Sequence, residues 1–107
     1  MGLISSSMNL IKLNRLRFEL EEKIESCNSK KMKLLTNASE LEDLQNGLDP
    51  KSPEVKKLQE RQQRLKALEK KLDDQITRLQ TQMKMVEANF QQEQQNVDKN
   101  IQYFYSK

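Results

Sequence analysis

The stretch that decides the fold is Asn46-Gly47-Leu48-Asp49-Pro50-Lys51-Ser52-Pro53, where Gly and Pro cluster in a chain of 107 residues. Gly47 favours a left-handed residue that ends a helix. Ser52 is a good N-cap, and Pro53 suits the first position of the helix that follows. The sequence therefore predicts a helix over about 5–46, a turn over 47–52 and a second helix over about 53–105.

Apolar and small side chains recur at steps of three and four on both sides of the turn, which is the period of a helix. Lys31 fills one place in the first series and Gln62 fills one place in the second. The first series is Leu13, Leu16, Leu20, Ile24, Cys27, Leu34, Ala38, Leu41 and Leu44. The second series is Val55, Leu58, Leu65, Leu68, Leu72, Ile76, Leu79, Met83 and Val86.

The two series also agree in register, because residues that face each other in an antiparallel pair have numbers that add to a constant. Leu41 with Leu58 and Cys27 with Leu72 add to 99, and Ala38 with Gln62 adds to 100. We therefore predict an all-α fold in which residues 1–107 form a single long antiparallel helical hairpin, a two-stranded coiled coil.

Irregularities are expected at four places in the helices. Steps of four and four at Leu16-Leu20-Ile24 and Leu68-Leu72-Ile76 predict a stutter in each helix. Residues 26–29 and 36–39 are poor helix formers, which leaves open a kink of the first helix at either place.

Composition excludes several classes of function. Hydrophobic residues make up 35% of the chain and aromatic residues 5%, too few for the core of a compact enzyme, and there is no His. A single Cys rules out a disulfide framework, and no zinc or haem ligand set is recognisable. We expect no enzyme activity, no catalytic residue, no cofactor and no metal.

Charge and hydropathy limit the partners. The net charge is +3, and basic and acidic residues alternate without interleaved aromatic residues, so nucleic-acid binding is not predicted. No apolar run approaches a membrane span, and the start lacks the basic region of a secretory signal. These features predict no transmembrane segment, and either a cytoplasmic protein or one exported by a dedicated secretion system. Met1-Gly2-Leu3-Ile4-Ser5-Ser6 matches the myristoylation pattern, which leaves a lipid-anchored scaffold open.

Large apolar residues are in excess where the two chain ends come together, because they cover several helix faces there. We predict that this end of the hairpin mediates self-association or partner binding. Its predicted site residues are Leu3, Ile4, Met8, Leu10, Ile11, Phe18, Phe90, Val97, Ile101, Tyr103, Phe104 and Tyr105. A dimeric four-helix bundle, with these residues as its core, is the simplest form of such an oligomer.

The layout resembles the helical-hairpin subunits of bacterial secretion appendages, especially type III secretion needle and filament proteins. The shared features are two long helices, a turn that contains Pro50 and Pro53, arms rich in Gln and Asn, and apolar termini brought together. The resemblance implies that terminal helices pack into a helical tube and that the subunit is exported by its own machine.

Two hypotheses of function follow. The first is a non-enzymatic, self-associating coiled-coil protein, a homo-oligomer that serves as a structural subunit of a filament or secretion appendage. The second is a cytosolic coiled-coil chaperone or adaptor whose apolar end clasps a helix of another protein.

Overall fold

The computed structural model describes residues 2–105, which form two helices joined by one turn. Helix α1 spans Leu3–Asn46 and helix α2 spans Pro53–Tyr105. The predicted fold class, an all-α antiparallel helical hairpin, is confirmed. The chain divides into two compact units. Unit 1 contains the described parts of Met1–Ile24 and Arg78–Lys107, and unit 2 contains Glu25–Thr77, including the turn.

Helix α1 ends differently from the prediction. No described glycine has a positive φ, so Gly47 does not adopt the left-handed conformation and that expectation is wrong. The backbone N–H of Gly47 instead donates to the carbonyl of Leu44 at 3.3 Å, and that of Leu48 donates to Gln45 at 3.1 Å. These bonds tighten the last turn and satisfy two carbonyls that have no partner further along the helix.

Helix α2 begins with the predicted cap. The Ser52 hydroxyl accepts the N–H of Val55 at 3.4 Å, which confirms Ser52 as the N-cap. Before it, the N–H of Ser52 donates to the carbonyl of Asp49 at 2.9 Å, and the Asp49 carboxylate accepts the N–H of Lys51 at 3.0 Å. Asp49 thus holds the turn while Ser52 starts the helix.

Helix α1 continues without a break through both segments of poor helix formers. The Thr36 hydroxyl donates to the carbonyl of Met32 at 3.0 Å, one turn back along the helix. The hydroxyl therefore bonds within the helix instead of competing with it.

Burial follows an unbroken seven-residue repeat in both helices. Every buried side chain of the described residues lies in one of two series that advance by steps of three and four. In α1 the series is Ser6, Leu10, Leu13, Arg17, Leu20, Ile24, Cys27, Lys31, Leu34, Ala38, Leu41 and Gln45. In α2 it is Val55, Leu58, Gln62, Leu65, Glu69, Leu72, Ile76, Leu79, Met83, Val86, Phe90, Glu93, Val97 and Asn100. We call these two series together the seam.

The seam corrects the predicted stutters. Leu16, Leu44 and Leu68 were assigned to the apolar series, yet they are 41%, 61% and 47% exposed. Their neighbours Arg17, Gln45 and Glu69 are half-buried instead. Hydrophobicity alone assigns these three leucines to the apolar series. A strict heptad instead places a long polar side chain at some seam positions.

In unit 2, the seam holds an ion pair between the helices. Lys31 Nζ lies 2.7 Å from Asp73 Oδ1. Helical side chains lean toward the N-terminus of their own helix. The Lys31 ammonium group therefore reaches one turn past Glu69, which lies opposite Lys31 because their numbers add to 100. The hydrogen bond to Asp73, and then its charge, raise the pKa of Lys31 above its ordinary value of 10.5.

In unit 1, a cation–π contact joins the helices across the seam. The Arg17 guanidinium lies 5.0 Å from the centroid of the Phe90 ring. Arg17 Nη2 also donates to Asn14 Oδ1 at 2.7 Å, which fixes the direction of the guanidinium. The two side chains lean toward each other because their helices are antiparallel. Arg17 can therefore occupy a seam position, because its aliphatic stem packs between the helices and its guanidinium lies over the Phe90 ring.

Candidate functional site

All twelve predicted site residues lie in unit 1, on its α1 and α2 segments. Three of them, Leu10, Phe90 and Val97, are half-buried seam residues. The other nine are exposed, which leaves them available for contact with another molecule. They are Leu3, Ile4, Met8, Ile11, Phe18, Ile101, Tyr103, Phe104 and Tyr105.

One exposed group forms an apolar stripe along the start of α1. Ile4, Ile11 and Phe18 are seven residues apart, and Met8 lies between Ile4 and Ile11. Ile11 and Phe18 each come one position after a seam residue, Leu10 and Arg17. A step of one residue turns the helix by about 100°, so these side chains face away from the seam. They are 78%, 63%, 57% and 54% exposed, in the order Ile4, Ile11, Phe18 and Met8. We call these four residues the outer stripe.

A second exposed group is the aromatic end of α2. Tyr103, Phe104 and Tyr105 are 64%, 73% and 81% exposed. The Phe104 and Tyr105 rings pack edge to face, with centroids 5.6 Å apart and planes at 88°. Phe104 continues the heptad of the α2 seam, one turn after Asn100, yet its side chain is exposed. The rings therefore present a ready-made hydrophobic contact surface.

The seam of unit 1 also holds two polar atoms without hydrogen-bond partners. Ser6 is fully buried, and both its Oγ and Glu93 Oε2 are buried and unbonded. The number rule places Ser6 opposite Glu93. A hollow of about 350 Å³ adjoins Glu93 and is otherwise lined by Asn9, Lys12, Leu13, Asn89 and Gln92. Two unbonded polar atoms at seam positions destabilise this unit as an isolated hairpin.

Some exposed apolar residues were missed by the sequence analysis. Met85 in unit 1 is 63% exposed, although it was in neither apolar series nor the predicted site. In unit 2, Leu44 and Leu68 were assigned to the core and are exposed instead. A strict heptad count through the polar seam residues would have found them.

Chemistry beyond contact is limited among the described residues. Within residues 2–105, no group of three or more His, Cys, Asp or Glu side chains is placed to hold a metal ion. Cys27 is 5% exposed, so its thiol packs in the seam. Over the same part of the chain, neither helix has an apolar stretch long enough to cross a bilayer.

Comparison with protein-family models, curated proteins and solved structures gives no match for this chain.

Proposed function

We propose that this protein is a non-enzymatic structural subunit that binds copies of itself through unit 1. The observation that carries the proposal is the exposure of two apolar groups, the outer stripe and the aromatic end of α2. Large exposed apolar groups on a small helical protein mark sites of association.

The exposed area supports an interface of ordinary size. The seven side chains of the two groups are each more than half exposed. Their exposed fractions together correspond to between four and five complete side chains, or roughly 900 Å² at ~200 Å² each. A specific interface buries about 800 Å² per partner. The two groups together therefore expose about as much apolar area as one side of a specific interface buries.

Charge also permits like copies to associate in this unit. Its described residues carry seven basic and six acidic side chains, so their net charge is close to zero. From Gln80 onward, exposed Gln and Asn are frequent. Amides hydrogen-bond between identical surfaces without like-charge repulsion. We therefore propose an open assembly, in which the protein is a filament or secretion-appendage subunit, as the resemblance in layout implies.

A second candidate function is a coiled-coil chaperone or adaptor that binds a helix of another protein. The exposed leucines of unit 2 favour it, because self-association through unit 1 leaves them uncovered. This function predicts a small closed oligomer that binds a partner, whereas the first predicts polymers that lengthen with concentration.

The test combines light scattering with negative-stain electron microscopy of the purified protein over a concentration series. One variant deletes residues 103–107, and another replaces Ile4 and Ile11 by Ser. A matched control replaces Gln94 and Gln95 by Ser, because these side chains are exposed, polar and in the same unit.

We expect the parent and the control to form large assemblies, and both apolar variants to remain small at the same concentration. A monomeric parent at high concentration would refute self-association. A closed oligomer of fixed mass would refute the filament and favour the adaptor.

A further inference from the structure

Two hollows open on one side of the unit 2 hairpin, and leucines line both. The larger, about 700 Å³, contains Leu44, Leu48 and Leu58. The smaller, about 370 Å³, contains Leu34, Leu68 and Leu72. Both lie between α1 and α2, and Leu44, Leu48 and Leu68 are 61%, 40% and 47% exposed. We call this surface the leucine groove.

The rim of the leucine groove is strongly basic. Six basic side chains line the two hollows against two acidic ones, Glu54 and Glu60. The basic residues are Lys30, Lys33, Lys57, Arg61, Arg64 and Lys71. All six are exposed, and none of them makes an ion pair with a carboxylate of residues 2–105, whereas Lys31 pairs with Asp73. The basic charge is therefore available to a ligand.

The α2 wall of the groove is a single helical stripe. Lys57, Arg61, Arg64, Leu68, Lys71 and Gln75 follow one another at steps of four and three, so they share one side of α2. From Lys57 to Gln75 this wall is about 27 Å long at 1.5 Å per residue. A helix of about 18 residues matches that length.

The opposite side of the same hairpin has a different character. A hollow of about 480 Å³ there is lined mostly by polar residues and has one basic and one acidic side chain, Lys66 and Glu42. Its other polar lining residues are Ser39, Gln45, Asn46 and Gln62. Among these three hollows, basic side chains outnumber acidic ones only at the two that form the leucine groove.

We propose that the leucine groove binds an amphipathic helix of another protein, with carboxylates on both flanks of its apolar stripe. The leucines supply the hydrophobic contact, and the six basic side chains pair with the carboxylates. Together the three helices form a three-helix bundle in which the exposed leucines become core residues. This inference rests on the second candidate function, whose partner it specifies, and it does not rest on self-association through unit 1.

A second copy of the chain is a poorer occupant. Its outer stripe is the apolar face of α1 available for docking, and charges of both signs accompany it, Lys12 and Arg15 against Glu19 and Glu22, so it lacks the flanks of carboxylates that the six basic side chains would pair with. An acidic helix from another protein supplies those carboxylates.

The test uses the full chain and two fluorescent helical peptides of about 18 residues. Both peptides have the same leucine stripe. One carries Glu on both flanks, and the other carries Lys at the same positions. Fluorescence anisotropy measures their affinities at low and high salt. We expect the Glu peptide to bind at least about tenfold more tightly than the Lys peptide, and to weaken as salt rises.

Paired variants separate the groove from general charge and general hydrophobicity. Arg61→Glu with Arg64→Glu reverses charge on the rim, and Lys66→Glu with Lys70→Glu makes the same change in the same helix outside the groove. Leu44→Ser removes a groove leucine, and Met32→Ser removes an apolar side chain of similar exposure, 64%, elsewhere in unit 2. Circular dichroism establishes that each variant is helical.

We expect each groove variant to lower the affinity for the Glu peptide at least about tenfold. Each control variant should change that affinity less than about twofold. Equal binding of the two peptides, equal effects of groove and control variants, or no binding of the Glu peptide overturns the proposal. The proposal is also overturned if the full chain binds vesicles of phosphatidylserine and phosphatidylcholine but does not bind the Glu peptide. It is overturned as well if a groove variant changes the oligomer mass and leaves the affinity for the Glu peptide unchanged. Light scattering on the same samples reports self-association separately.

Discussion

A single engineered cysteine tests the register of the hairpin. Cys27 is the chain's one cysteine, it is 5% exposed, and the seam places it opposite Leu72 in unit 2. Replacing Leu72 by Cys sets two thiols at facing seam positions. Facing positions of two packed helices are within the span of a disulfide, whose Cα atoms lie about 4.4–6.8 Å apart. We therefore expect the Leu72→Cys protein to oxidise within one chain.

The expected gain in stability follows from the loop that the bond closes. About 45 residues, including the turn, lie between positions 27 and 72. Closing a loop of that length removes chain entropy from the unfolded state worth about 4 kcal/mol. The oxidised and reduced forms of the same variant should differ by up to that amount, and the loss of the leucine side chain cancels in the comparison.

Urea unfolding of the variant with and without reductant measures the difference, and intact mass together with non-reducing electrophoresis shows whether the bond lies within one chain. The control is Leu68→Cys, one turn away at an exposed position. If this control oxidises within the chain as readily as Leu72→Cys, or if neither does, the register described for the seam is wrong.

Three further results are expected. Ser6→Ala should stabilise the protein by about 1 kcal/mol, since it removes a fully buried hydroxyl without a hydrogen-bond partner; thermal unfolding measures this. Ser52→Ala should destabilise the protein by about 1 kcal/mol, because the N-cap bond to Val55 is lost. Gly47→Ala should not destabilise it, because Gly47 does not have a positive φ. Chemical denaturation measures both effects. Asp73 raises the pKa of Lys31 in the folded state, so the ion pair stabilises the fold fully below pH 10.5 and this stabilisation is lost as pH rises through the raised pKa. The difference in unfolding free energy between the parent and Asp73→Asn should therefore shrink in that pH range.

The turn and the hairpin follow from helix capping and helical periodicity, which can be recognised in the sequence alone. Ser52 and Pro53 start a helix by their own chemistry, and the paired series needs only the helical period. Gly47 shows where such rules stop. A glycine permits a left-handed residue but does not require one, and here the helix end is closed by backbone bonds to Leu44 and Gln45 instead.

The seam shows why the candidate sites were only partly predictable. Hydrophobicity favoured Leu16 and Leu68 as core residues, whereas packing placed Arg17 and Glu69 at those positions. Arg17 can occupy a seam position because Phe90 faces its guanidinium, and that contact depends on the partner helix. The excess of apolar residues at the chain ends was evident from composition. The leucine groove was not, because two of its three exposed leucines, Leu44 and Leu68, had been counted as core.

The two exposed apolar surfaces differ in charge, and this difference argues for two kinds of partner. The described residues of unit 1 are nearly neutral, so one copy can approach another there without net repulsion. The leucine groove has six basic side chains against two acidic ones, so it repels the same groove of a second copy. Self-association through unit 1 would therefore leave the groove open in every subunit, where it could bind a separate acidic helix.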